Sequence, residues 1–353
     1  MKPVQYAYRL KRSNNNMDAM RYVLSLSVII SHFNFLCGYS IPWFISPHAA
    51  VGCFFALSGF LIYGSYSSRA NPSLASFFAG RARRILPPYI FIVVLCALAL
   101  SAVSSLGVRA YFADAGFWKY LAANISFCNF LHPGLPGVFD GPEYSNSAVN
   151  GSLWTMKVEW FLYASVPVVA AICEKLRRWL RLSAAAVIVA LIVTAIVYKS
   201  AFAYIYAATG HAMYEILGRQ FVGQLDYFYT GALIYICFDH FMRRKWIFLA
   251  CGIALALLQD HIPGYHLWLE ALVNTTVMMA VCMSGKRSVL SHHDNVSYDM
   301  YLFHYPVMQT AVYIGLPAIG CYSSFAIVLA AVVLLSFASW NIIGRRFVKP
   351  AAR

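Results

Sequence analysis

Charge is what this chain most lacks. Only 11% of its 353 residues are Asp, Glu, Lys or Arg, and 13 of them are acidic, whereas a soluble domain averages about 25% charged residues. A water-soluble protein so short of charge would be unable to cover its own surface. Apolar runs of about 20 residues recur along the sequence, so its solvent is lipid. The polar–apolar alternation over roughly ten residues that marks a membrane β-barrel is missing. No internal repeat is visible, which disfavours carriers built from two related halves. The nine cysteines, at 37, 53, 96, 128, 173, 237, 251, 282 and 321, form no C-x-x-C pair, so core packing is expected of them rather than metal binding or disulfides. No small-residue cleavage site follows the first apolar run, and no removable leader is expected.

What the chain does have is an ordered series of apolar segments edged with cations. The pattern predicts an all-α, polytopic integral membrane protein of about ten transmembrane helices, roughly 22–40, 48–66, 86–107, 152–173, 184–202, 221–239, 246–259, 267–285, 299–318 and 323–343. The net charge of +14 would suit nucleic acid, but the cations sit at the ends of apolar runs, which excludes that partner. With the N-terminus inside, only Arg109, Lys119, Lys199, Arg219 and the intrahelical Lys157 of the 27 Lys and Arg fall away from inner segments. The positive-inside rule then puts both termini in the cytoplasm. Residues 1–353 read as one transmembrane domain, and 108–151, rich in Gly, Pro, Asn and Ser, as a long extracytoplasmic loop within it. Its aromatics, Phe112, Phe117, Trp118, Phe127 and Phe130, favour packing against the membrane surface.

Few ionisable groups lie deep in these helices: His32, Glu159, Asp226 and His304, with Glu270 nearer an end. Such a group costs roughly 2.5–3.5 kcal/mol on insertion scales, so it is kept for pairing or for chemistry. In "RYVLSLSVIISH", residues 21–32, Arg21 and His32 lie on one helical face about 16 Å apart along the axis. That places a cation at the membrane edge and an imidazole near mid-bilayer. Asp18, three residues before Arg21, can pair with it. A neutral imidazole is a good general base, and a carbonyl-satisfied core histidine is the competing reading. "FFALSGFLI" offers Ala56, Ser58 and Gly59 for close helix contact. In "FFAGRARRILPPY", Arg81, Arg83 and Arg84 precede Pro87 and Pro88, which constrain the start of the next helix. Clustered guanidiniums suit phosphates, and equally suit membrane anchoring. "NGSLWTMKVEWFLY" gathers Ser152, Trp154, Thr155, Lys157 and Glu159. In "SYDMYLFHYP", Tyr301 and His304 are three apart and can face one cavity.

These stretches, in this order from about residue 17 to 345, resemble the acyltransferase-3 family of integral membrane acyltransferases. The resemblance implies an acyl-CoA donor, most simply acetyl-CoA, and O-acylation of a cell-surface or lipid-linked glycan such as exopolysaccharide, capsule or O-antigen. It also implies a stand-alone member, a bacterial inner (cytoplasmic) membrane and no metal. By position, the catalytic set falls on His32, Arg21 and Glu159, and donor phosphate binding on Arg81, Arg83 and Arg84. Substrate contact is expected of Ser152, Trp154, Tyr301 and His304. Two departures stand out: Tyr22 where the family's first motif has a small residue, and Gly80 where a further arginine is common. His32 would act as general base or as a transient acyl carrier. The alternatives are a sugar or lipid transporter with a buried His/Glu relay, which would not bind CoA through Arg81 and Arg84, and an assembly anchor, which would tolerate loss of His32.

Overall fold

In lipid the backbone has to satisfy its own hydrogen bonds, so apolar runs of this length fold as helices. The computed structural model describes residues 15–69, 73–284 and 295–348, and all regular structure among the described residues is helical. In chain order the helices are α1 Met17–Cys37, α2 Pro47–Ser67, α3 Leu74–Ala99, α4 Val108–Ala113, α5 Ala115–Ile125, α6 Trp154–Leu180, α7 Ala184–Thr209 and α8 Ala212–Gly218. They continue with α9 Leu225–Ile236, α10 Phe238–Leu257, α11 Tyr265–Trp268, α12 Glu270–Cys282, α13 Ser297–Tyr313, α14 Cys321–Ser339 and α15 Arg345–Val348.

Among the described residues, six helices are long and apolar enough to cross a membrane: α1, α2, α3 with its closing turn, α6, α7, and α14 with its continuation to Phe347. The protein is therefore an integral membrane protein. The other four expected spans are helical too, but they do not reach that measure. α9 has 12 residues, α12 has 13 and α13 has 17, which gives about 18–26 Å of rise against a hydrocarbon core of about 30 Å. α10 has 20 residues but opens with Asp239, Arg243, Arg244 and Lys245. Several cations behind the expected orientation, Lys2, Arg9, Lys11, Arg12, Lys286, Arg287, Lys349 and Arg353, lie outside the described residues.

One boundary differs from expectation in a way that matters. The arginine segment is not a loop before a proline-started helix. α3 begins at Leu74 and runs through Pro87 and Pro88. Each proline removes one i→i−4 bond, releasing only the Arg83 and Arg84 carbonyls, and apolar helices tolerate such gaps.

The chain divides into two compact units. The first comprises Met1–Leu24, Pro47–Leu74 and Val158–Asp294, and the second Ser25–Ser46, Ala75–Lys157 and Asn295–Arg353, so α1 and α6 each pass from one unit to the other. In the first unit α2 packs on α9 at a crossing notched by glycine from both sides. A Cβ on Gly59 would stand 1.8 Å from the Phe228 carbonyl oxygen, and one on Gly231 would stand 2.0 Å from that of Ala56. Only glycine lets two backbones approach so closely. Most of α2 is consequently enclosed, whereas only 17% of the α7 span is buried and the rest is left to lipid. Lys199, one of the expected outer cations, is buried on α7 in an ion pair with Asp226 of α9.

In the second unit α13 is enclosed almost all round, from Ser297 to Ala311, and so needs no polar face. α14 lies alongside it, joined by a 2.6 Å bond from Ser339 Oγ to Asp299. The long segment after α3 folds first as α4 and α5. Tyr111, Phe117 and Tyr120 turn inward there, and the Tyr111 hydroxyl donates to the Ala97 carbonyl at 2.7 Å. Beyond α5 the chain is irregular up to α6. Of the aromatics expected at the membrane surface, Trp118 and Phe130 are exposed, whereas Phe117 is buried and Phe127 stacks on Tyr89 with centroids 4.6 Å apart.

Candidate active site

Where α13 passes α1, the second unit brings two histidines together. His32 Nδ1 lies 2.8 Å from His304 Nε2, and the rings meet edge to edge with centroids 4.9 Å apart and planes inclined by 26°. Behind this contact, His304 Nδ1 lies 2.7 Å from the Tyr301 carbonyl oxygen, one turn earlier in the same helix. His304 is wholly buried, whereas His32 is half-buried. The Tyr305 ring meets His32 edge-on at 5.2 Å. Gly151 makes room for that ring, because a Cβ there would come within 2.7 Å of it.

The sequence explains why this part of α13 accepts side-chain partners. Pro306 has no N–H, so the carbonyl of Leu302 four residues earlier loses its helical donor. Asn150 Nδ2 takes that carbonyl at 2.8 Å. Asn150 Oδ1 in turn accepts from Ser152 Oγ at 2.7 Å and from the Ser152 amide at 3.2 Å. The Tyr301 hydroxyl pairs with Thr155 Oγ1 at 2.9 Å and also reaches the Ser152 carbonyl at 3.3 Å. The "NGSLWT" segment is thereby clamped onto the backbone of α13 at the turn that carries His304. Gln309 extends the clamp, its amide donating to the carbonyls of Asn146 at 2.6 Å and Ala148 at 3.0 Å.

Of the residues expected to contact substrate, Ser152, Tyr301 and His304 are buried within this network, and Trp154 is half-buried at the start of α6. Asn150, Gly151, Thr155 and Tyr305 carry as much of the geometry, and of these the sequence singles out Thr155 alone. Pro306 is the sequence signal of a carbonyl in need of a donor, though it does not name Asn150 as that donor.

The arginines lie on α3 of the same unit. The Arg81 guanidinium sits over the Phe77 ring, 4.6 Å from its centroid, while Arg83 and Arg84 are exposed. Immediately after them, the Ile85 carbonyl accepts from the Tyr298 hydroxyl at 3.2 Å. Tyr298 stands six residues before His304 on α13, about 9 Å along the axis, so one helix links the arginine turn to the histidine pair.

Arg21 and Glu159 belong to the first unit, and each is held there. Arg21 Nη1 bonds Asp18 Oδ1 at 2.6 Å, the pairing their spacing predicts. Glu159 Oε1 accepts from the Tyr163 hydroxyl and, at 3.5 Å, from Ser58 Oγ. Lys157, in the second unit, lies over the Phe130 ring, 4.5 Å from its centroid. Among the described residues no group of three or more His, Cys, Asp and Glu side chains is arranged to hold a metal ion.

Comparison with known proteins gives this arrangement a context. A family model described as an acyltransferase domain matches residues 14–341. The chain is 26% identical over 357 residues to nodulation protein 10 of Rhizobium leguminosarum bv. viciae, covering 95% of this chain and 93% of that protein. It is 24% identical over 341 residues to the O-acetyl transferase of Shigella phage Sf6, covering 95% and 96% respectively. No solved structure gives a significant match.

Proposed function

Because the chain belongs to the acyltransferase-domain family, we propose that it is a membrane-bound O-acyltransferase. In this reading it moves an acyl group, most simply acetyl, from acyl-CoA to a hydroxyl of a cell-surface or lipid-linked glycan in a bacterial inner membrane. The observation that carries the reading is the chain from the Tyr301 carbonyl through His304 to a partly accessible His32. An imidazole so backed is equipped to move a proton. The phage relative's name supports O-acetylation as the reaction.

His32 engages His304 through Nδ1, so Nε2 is the nitrogen that meets substrate. Nε2 removes the proton of the acceptor hydroxyl as its oxygen attacks the thioester carbonyl. The carbon–sulfur bond breaks, and the imidazolium returns the proton to the departing thiolate. In the alternative route Nε2 attacks the thioester carbonyl first, the carbon–sulfur bond breaks to release the thiolate, and the acceptor hydroxyl then displaces the acyl-imidazole, its proton ending on the thiolate. Arg81, Arg83 and Arg84 suit the donor's phosphates, since guanidinium forks match phosphate geometry and two of the three are exposed. Arg21 and Glu159, the family-matched charges of the first unit, complete the proposed set.

The test is acyl transfer in lipid nanodiscs from radiolabelled acetyl-CoA to a bacterial polysaccharide fraction. His32→Ala is expected to lose 10²–10⁴-fold, the usual contribution of a general base. Turnover in that variant equal to wild type would refute the assignment. Label that stays on wild-type protein without acceptor, and is absent from His32→Ala, would select the acyl-imidazole route.

A further inference from the structure

We propose that His304 is a positioning residue: it fixes the tautomer of His32, holding hydrogen on Nδ1 so that Nε2 presents a lone pair. This deepens the reading of His32 as the proton-accepting group and, for its effect on turnover, rests on it.

The argument is one of donors and acceptors. A carbonyl oxygen only accepts, so the 2.7 Å approach of His304 Nδ1 to the Tyr301 carbonyl requires hydrogen on that nitrogen. A wholly buried imidazolium needs a counter-ion, and among the described residues no carboxylate forms an ion pair with His304. His304 is therefore neutral, and its Nε2 is bare. The 2.8 Å contact between that nitrogen and His32 Nδ1 then needs its hydrogen from His32. A neutral His32 with hydrogen on Nδ1 has none on Nε2.

The same reasoning assigns the surrounding network its work. The Tyr301 carbonyl that orders the whole chain is fixed by the Thr155 bond to its own side chain and by the Asn150 bond to the adjacent Leu302 carbonyl. Ser152 Oγ reaches the Tyr301 carbonyl itself at 3.4 Å. His304, buried with both ring nitrogens engaged, has none left for substrate. It acts on the reaction only through His32.

Two measurements on the intact protein test this. The first is nitrogen NMR of histidine-labelled protein in nanodiscs, with His32 assigned by the signals lost in His32→Gln. Hydrogen on Nδ1 and none on Nε2 is expected in the wild type, and the reverse would overturn the proposal whatever the kinetics. The second compares His304→Gln with His304→Leu in the transfer assay. Glutamine can place its carbonyl oxygen near the position of Nε2 and keep an acceptor for His32, whereas leucine offers none. Leucine is expected to lower kcat at least tenfold below glutamine, with KM for acetyl-CoA unchanged within about twofold. Equal kcat in the two variants would overturn the proposal. Full turnover by His32→Ala alongside the expected spectrum would remove the catalytic reading and leave the tautomer assignment standing, so the two failures are distinguishable. Should the leucine variant fail to fold, the wild-type spectrum alone decides.

Discussion

The two units bury polar groups in different ways. In the first, the buried charges are closed on partners, Lys199 with Asp226, and Glu270 beside His48 at 3.7 Å and His266 at 3.5 Å, with neutral Gln224, Thr230 and Thr275 buried in the same unit. In the second, Asp299 apart, the buried polar groups are neutral, and one set of them is linked in series, from Asn150 and Ser152 to the Tyr301 carbonyl, His304 and finally His32. A buried ion pair spends its electrostatics on its own desolvation and leaves nothing available. A neutral chain that ends on a partly accessible imidazole keeps one ring nitrogen for work. By this comparison the first unit is braced and the second is poised.

The sharpest way to break that contrast is to remove one end of each device. His32→Ala should lose 10²–10⁴-fold in acyl transfer with a modest fall in melting temperature, because it leaves the neutral His304 Nε2 without its donor, about 1–3 kcal/mol. Asp226→Asn should do the opposite. It leaves the Lys199 ammonium buried without its counter-ion, a loss of about 3–5 kcal/mol, read as a lower melting temperature with specific activity per folded molecule retained. Replacing both partners with apolar residues, Lys199→Met with Asp226→Leu, should recover most of that loss. If the double variant melts as low as the single one, the pair is not the brace described here. Loss of stability in His32→Ala as large as in Asp226→Asn would erase the distinction between the units.

The arginine turn gives a smaller, more selective effect. A hydrogen bond to a charged group contributes about 1.5–3 kcal/mol. Arg83→Gln and Arg84→Gln are each expected to raise KM for acetyl-CoA about tenfold or more, with kcat little changed and the effect weakened by salt. A fall in kcat at constant KM would move these residues away from donor binding.

How much of this was legible beforehand depends on the range of the interaction. The presence of the six long spans, the pairing of Arg21 with Asp18 and the close approach permitted by Gly59 are written in local composition and spacing, and each is found, α3 with a different start. The start of α3 differs from expectation because a proline pair reads as a helix boundary, whereas each proline costs only one donor and the helix continues through both. The shortness of α9, α12 and α13 was hidden because each apolar run continues past its helix into turns. The histidine pair was out of reach. His32 and His304 lie 272 positions apart, and nothing in either stretch names the other. Pro306 was visible, yet the consequence, a carbonyl at 302 taken by Asn150, depends on tertiary contact between distant segments.

The smallest expected effect returns to the first unit and tests how its ions share their work. His48 and His266 approach the same oxygen of Glu270, but the side chain of His48 is 39% exposed and that of His266 is 67% exposed. Solvent screens the more exposed partner, and an exposed pair is worth about 1 kcal/mol or less. His266→Ala should therefore shift the melting temperature by no more than a degree or two and leave acyl transfer unchanged, whereas His48→Ala should cost more. Equal losses in the two variants would mean that the carboxylate needs both imidazoles together. The first unit would then hold a three-membered cluster in place of a pair with a bystander, and its bracing would resemble the linked design of the second.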